Sequence, residues 1–67
     1  MAAAKVEEFS ATSSVGFEDA VELGLARALK TLRNVRSAWL KEQHVRLDGK
    51  KKVEYQVNMA VTFVLDD

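Results

Sequence analysis

The chain has 67 residues, of which 48% are hydrophobic, ten are basic and ten are acidic. This length allows one domain spanning 1–67, and a chain so short buries too little surface to be more than marginally stable alone. The absence of cysteine excludes disulfides and thiolate metal sites, and a single histidine, His44, argues against a zinc centre. Oligomerisation is therefore the expected source of further stability.

The balanced charge gives no electrostatic reason to expect nucleic acid or an anionic membrane as a partner. The longest basic run, residues 50–52, is typical of a solvated turn. No stretch approaches the ~18 apolar residues of a membrane-spanning helix, and residues 1–4 are too few for a signal peptide. We therefore expect a soluble, cytoplasmic protein.

The first half of the chain predicts a strand and then a helix. Residues 5–12 contain Val6 and Phe9 and are compatible with an edge strand. A helix of about 18 residues follows, with hydroxyl side chains at residues 12–14 as candidate N-caps and Asn34 as its C-terminal residue.

Apolar positions recur along this helix at spacings of three and four, which marks one buried face. They are Phe17, Ala20, Val21, Gly24, Leu25, Ala28 and Leu32. Leu23 and Leu29 lie off this face. Leucines on a second face predict that the helix has a second partner.

The second half predicts a β-hairpin. Residues 37–47 form one strand candidate, and Asp48-Gly49 is a tight-turn signature. Residues 53–65 form the other, in which seven apolar side chains alternate strictly with the rest. These 13 residues span about 43 Å as a strand, whereas twice the radius of gyration expected for a compact globule of this size is about 22 Å. The strand must therefore curl around the helix or extend towards a neighbouring subunit.

The order β-α-β-β predicts an α+β fold in which a three-stranded antiparallel sheet, with strand order 1-3-2, wraps on one helix. The helix is expected on the sheet face that carries Tyr55, Val57, Met59 and Val61. The opposite face has no cover within one chain. Its small and apolar residues at one end predict that other subunits cover part of it: Ala60, Thr62 and Val64.

Trp39 is the only tryptophan and lies within the strand at 37–47. If Ala38 and Leu40 face the helix, alternation places Ser37, Trp39 and Lys41 on the other face. A large aromatic side chain in that place predicts either a subunit interface or a ligand pocket.

No catalytic constellation stands out. Ser37, His44 and Asp48 have no spacing that is typical of a nucleophilic triad, and the three glycines form no phosphate-binding loop.

Three segments together resemble the dodecin family. They are ATSS at 11–14, ARALKTLR at 26–33 and the alternating strand at 53–65. The resemblance covers nearly the whole chain in order and length. It implies a β-α-β-β protomer that assembles with itself into a hollow dodecamer with the helices outside.

Typical dodecins bind flavins, including FMN and riboflavin, in pairs at two-fold interfaces. A tryptophan of strand 2 stacks on the flavin ring, and a glutamine of strand 3, matched here by Gln56, contacts the polar edge of the ring. An ungapped alignment puts Ser37 at the tryptophan position, whereas a gapped alignment puts Trp39 there. We favour the ungapped alignment because it needs no compensating indels. Both positions share one strand face.

The resemblance thus implies a non-enzymatic protein that sequesters flavin for storage and photoprotection. The implied contacts to FMN or riboflavin are Trp39, Gln56, Ser37, Lys41 and Arg46, with Lys41 or Arg46 available for a phosphate. Some family members lack the tryptophan and do not use flavin. One alternative is therefore a flavin-free structural or ion-binding shell with Trp39 packed in the interface. The other is a small enzyme with His44 as its base.

Overall fold

The computed structural model describes residues 3–65. The elements are β1 (Ala4–Ser13), α1 (Phe17–Thr31), β2 (Val35–Asp48) and β3 (Lys51–Val64). β3 lies between the other two strands and is antiparallel to both, which gives the sheet order β1-β3-β2. The predicted α+β topology and strand order are confirmed.

The core lies between α1 and one face of β3. Val57, Met59 and Val61 are fully buried there and form a cluster with Ala20 and Ala28 of the helix. Partly buried side chains surround this cluster: Phe9, Phe17, Val21, Leu25, Leu32 and Val35. The predicted buried faces of the helix and of the strand are both confirmed. The off-face Leu23 and Leu29 are exposed in the protomer, and the second partner of the helix stays a prediction.

Gly24 allows α1 to lie close to β3. A Cβ atom at this position would lie 2.8 Å from the Cε atom of Met59 and 3.3 Å from the Cβ atom of Ala11. Both distances are shorter than ordinary van der Waals contact, so a larger residue here would displace the Met59 side chain. The bare backbone of Gly24 therefore sets the spacing between the helix and the sheet.

The start of α1 differs from the prediction. The helix has 15 residues, and its N-cap is Gly16 without a capping side chain. The predicted hydroxyl caps were wrong because β1 continues through Ser13, which pairs with Tyr55 of β3. The Ser13 Oγ atom instead accepts from the amides of Val15 at 2.9 Å and Gly16 at 3.4 Å, and it donates to Asp19 at 2.6 Å.

The end of α1 also differs. The helix ends at Thr31, followed by the extended Leu32, so the prediction of Asn34 as its last residue was wrong. Leu32 packs on the core, which draws the chain out of the helix. Asn34 has a φ angle of 59°, a left-handed conformation that asparagine tolerates better than most residues. The chain turns there into β2.

β2 and β3 form a long hairpin with 14 residues in each strand. Two residues, Gly49 and Lys50, connect the paired Asp48 and Lys51. Gly49 has a φ angle of 63°, which glycine adopts without a steric cost. The predicted turn is confirmed.

The protomer is elongated rather than globular. Its extents are 52 × 18 × 12 Å and its radius of gyration is 14.0 Å, whereas about 11 Å is expected for a compact chain of this length. Its accessible surface is 5025 Å², compared with about 4,250 Å² for a compact monomer of this mass. The long strand extends away from the helix, and the protomer exposes surface that a compact chain would bury.

Candidate functional site

One face of the sheet carries no helix. We call it the open face and define it by the even-numbered residues of β3 from 54 to 64 with their cross-strand neighbours. Ser37 lies opposite Thr62, and Trp39 lies opposite Ala60. Gln56 lies on the same face, four residues from Ala60, or about 13 Å along the strand. The structure therefore brings Ser37, Trp39 and Gln56 to one surface.

Trp39 offers a flat apolar surface at the centre of the open face. Its side chain is 50% exposed, while Ala60 opposite it is only 1% exposed. Ala60 is flanked by Trp39 on β2 and by Glu8 on β1. A methyl group at this position leaves room for the larger neighbours to lie over the central strand.

A β-bulge at Lys41 changes which residues of β2 reach the open face. The register shifts between Leu40, opposite Met59, and Glu42, opposite Asn58. The extra residue keeps Glu42 on the open face, where plain alternation would have turned it towards the helix. Leu40 remains on the helix side but is 44% exposed, because α1 packs mainly over β1 and β3.

Lys41 forms an ion pair that crosses the central strand. Its Nζ atom lies 2.7 Å from the Oε2 atom of Glu8 on β1. The hydrogen bond to Glu8 and the attraction of that carboxylate raise the pKa of Lys41, with a smaller contribution from Glu42. Lys41 therefore stays protonated, and the Glu8 carboxylate balances its positive charge.

Arg46 is also paired, through its Nε atom, to Glu54 Oε1 at 3.3 Å. Both predicted phosphate contacts thus have carboxylate partners. Exposed pairs of this kind contribute little free energy, so an incoming anion can displace either carboxylate.

Gln56 belongs to a polar network that joins all three strands. Its Nε2 atom donates to Ser10 Oγ at 3.1 Å and to Asn58 Oδ1 at 3.0 Å. Ser10 Oγ donates to Asn58 Oδ1 at 2.6 Å, and Asn58 Nδ2 donates to Glu42 Oε1 at 2.9 Å. Sequence analysis missed Ser10, Glu42 and Asn58. The only signal was the pair of amide residues two positions apart on one face of β3.

The candidate nucleophile, base and acid of a catalytic triad lie far apart on β2. Ser37 and Asp48 lie at opposite ends of β2, about 36 Å apart at normal strand rise, and His44 lies opposite Gln56 between them. They cannot form a triad within one protomer. Among residues 3–65, no group of three histidine or acidic side chains could hold a metal ion.

A cleft of about 280 Å³ lies at the C-terminal end of β3, away from Gln56. Its walls are Thr31, Leu32, Arg33, Phe63, Val64 and Leu65.

The one described helix is neither long enough nor apolar enough to cross a membrane.

Comparison with known proteins identifies relatives over the full fold. The family model described as Dodecin matches residues 3–66. Among curated proteins no significant match was found. An arginine-to-alanine mutant of the Thermus thermophilus dodecin is 36% identical, with a TM-score of 0.92 and coverage of 100% of both chains.

Two further solved structures are similar. Dodecin from Streptomyces davaonensis is 30% identical, covers 98% of this chain and 97% of its own, and has a TM-score of 0.91. The calcium dodecin of Mycobacterium tuberculosis, described as calcium-chelating with a novel calcium-binding site, is 26% identical. It covers 96% of this chain and 91% of its own, with a TM-score of 0.83.

Proposed function

The chain belongs to the dodecin family, and on that premise we propose that it is a non-enzymatic, cytoplasmic protein that sequesters FMN or riboflavin. The single domain of residues 1–67 assembles with itself, as a dodecamer, and the flavin sites lie between subunits. Flavin held in this way is stored and protected from light.

The observation that carries this proposal is the half-exposed indole of Trp39 on the same uncovered sheet face as Gln56. Stacking of a planar ring on an aromatic side chain contributes about 1–3 kcal/mol, by analogy with nucleobases. One sheet face supplies one wall, whereas small-molecule sites enclose about 70–90% of a ligand surface. A second protomer is therefore needed to complete the site.

Each residue of the proposed site has a separate role. Trp39 stacks on the flavin ring, and Gln56 hydrogen-bonds its polar edge. Ser37 and Lys41 flank the stacked ring on β2. For the FMN phosphate, Lys41 or Arg46 exchanges its carboxylate partner for the phosphate. Arg46 is the better placed of the two, because Glu54 engages only its Nε atom and a guanidinium has further donors.

When bound, flavin supplies a chromophore that light excites to a strong oxidant. The indole of Trp39 would serve as the electron donor in contact with that ring, and return of the electron would leave neither group oxidised overall. Ala60, the cross-strand neighbour of Trp39, is almost fully buried, while the indole keeps half of its surface exposed for this contact. Contact of this kind quenches flavin fluorescence and shortens the time available for damaging photochemistry.

Titration of riboflavin fluorescence with the protein tests the proposal. We expect saturable quenching at micromolar protein, and FMN should behave similarly. If neither riboflavin nor FMN were quenched at micromolar protein, a flavin-binding function would be rejected.

A second candidate is a flavin-free shell with a structural or ion-binding role. The similarity to the calcium dodecin and the half-exposed apolar surface of Trp39 favour it. In this case Trp39 packs against another subunit, and Trp39→Ala should dissociate the assembly. Size-exclusion chromatography of that variant separates the candidates, because loss of a flavin contact alone leaves the dodecamer intact.

A further inference from the structure

The hydrogen bonds of the open-face network run in one direction. The Glu42 carboxylate can only accept, so Asn58 must turn its amide nitrogen towards Glu42. The Asn58 oxygen then faces Ser10 and Gln56, and both donate to it. A single charged side chain on β2 therefore fixes the orientation of two amides on β3.

The far end of this chain of hydrogen bonds is the Gln56 amide. Its Nε2 atom donates to Ser10 Oγ and to Asn58 Oδ1, and these two acceptors lie only 2.6 Å apart. Its Oε1 atom accepts no hydrogen bond among the described residues. The network therefore holds the Gln56 Nε2 atom on its own side and leaves the Oε1 atom as an acceptor for a group that binds on the open face.

We infer that Glu42 and Asn58 are positioning residues that set the hydrogen-bond polarity of Gln56, so that the site selects a ring N–H group on its ligand. This inference rests on the proposed flavin-binding function. The polar edge of the oxidised flavin ring carries one N–H donor between two carbonyl acceptors. Gln56 oriented by Glu42 turns its Oε1 atom towards that N–H.

Replacing Glu42 by lysine should reverse the direction of these hydrogen bonds, because an ammonium group only donates. Asn58 then turns its oxygen towards position 42 and its nitrogen towards Gln56, which accepts and turns its own N–H groups outward. Ser10 permits either direction, since a hydroxyl both donates and accepts. Glu54→Lys is the matched control: it makes the same charge change on the same face, but Glu54 pairs with Arg46 outside the network.

The experiment measures dissociation constants by fluorescence quenching for riboflavin and for riboflavin methylated on its ring N–H nitrogen. Riboflavin is used because it carries no phosphate that would respond to the added lysine. The wild type and Glu54→Lys should bind the methylated compound about tenfold more weakly, the size expected for losing one hydrogen bond in an enclosed site. In Glu42→Lys this ratio should fall to about threefold or less.

A second variant, Asn58→Val, interrupts the network at its centre with a residue that suits a strand. It should also lower the ratio, and it serves as the test if Glu42→Lys does not assemble. The inference would be overturned if the ratio of the two dissociation constants were near one in the wild type, or if it stayed unchanged in both variants. In either case, quenching of riboflavin by the wild type would still support the proposed function. Loss of riboflavin quenching in the wild type would overturn both.

Discussion

The two faces of β3 use the same strand for opposite purposes. On the helix side, Val57, Met59 and Val61 are fully buried within one protomer. On the open face, Gln56 and Asn58 make side-chain hydrogen bonds, and the apolar Trp39 beside Ala60 stays half-exposed. The helix side therefore stabilises the protomer, while the open face offers groups for a ligand or for another subunit.

This division leaves one face of the sheet available for a binding site even in so small a chain. A residue that contributes to the core is not available to a ligand, and one helix covers only one side of a sheet. The other side can therefore carry polar and aromatic side chains that do not stabilise the isolated protomer. Mutations on the two faces should consequently affect different measurements.

The largest expected effect is on the helix side. Met59→Ala removes the largest fully buried side chain and leaves a cavity next to Gly24, which should cost about 2–5 kcal/mol of unfolding free energy. Thr62→Ala on the open face should cost less than half as much. Thermal and urea unfolding at one fixed protomer concentration measures both variants. Equal losses would mean that the two faces do not differ in this way.

The next effect concerns Ser13, the buried polar residue that joins β1 to α1. Ser13→Ala removes the acceptor of two backbone amides and the donor to Asp19, which should cost about 1–2 kcal/mol. Ser14→Ala is the control, because Ser14 is exposed. Urea unfolding curves compare the two variants. If Ser14→Ala destabilised the protein as much, the role given to Ser13 would be wrong.

Trp39→Ala compares the two faces of the sheet by their effect on riboflavin binding rather than on stability. Loss of the stacking surface should weaken riboflavin binding about tenfold or more, with little change in the protomer core. Leu40→Ala is matched to it, as a neighbouring residue of similar exposure on the opposite face, and should leave affinity within about twofold. Quenching titrations give both values. A larger loss of affinity for Leu40→Ala would move the site to the helix side.

The smallest effect concerns the ion pair across β3. Glu8 raises the pKa of Lys41 above its ordinary value of 10.5, so the pair stabilises the folded chain fully below that pH. The contribution is lost as the pH rises through the raised pKa. Glu8→Gln should therefore slightly lower the Tm at pH 8, and the difference from the wild type should shrink above about pH 10.5. A difference that grew with pH would contradict the assignment.

The sequence predicted those features that repeat with a regular period. Alternation along β3 identified its helix side, and the spacing along α1 identified its buried residues and left Leu23 and Leu29 exposed. Trp39 and Gln56 could be placed on one face because a shift by two residues preserves the face of a strand.

The remaining features depend on contacts between distant segments. The bulge at Lys41 adds one residue without any local signal, and it alone brings Glu42 to the open face. The helix start was misplaced because Ser13 pairs with β3 instead of capping the helix. The hydrogen bond from Ser10 to Asn58 joins residues 48 positions apart, so no local pattern could predict it.

The central claim is that flavin binds on the open face only when a second subunit completes the site. Native mass spectrometry of the protein mixed with riboflavin tests it most directly. We predict an assembly of twelve protomers that carries riboflavin, together with free protomers that carry none. Riboflavin on single protomers, or a dodecamer that remains free of riboflavin at saturating concentration, would contradict the claim.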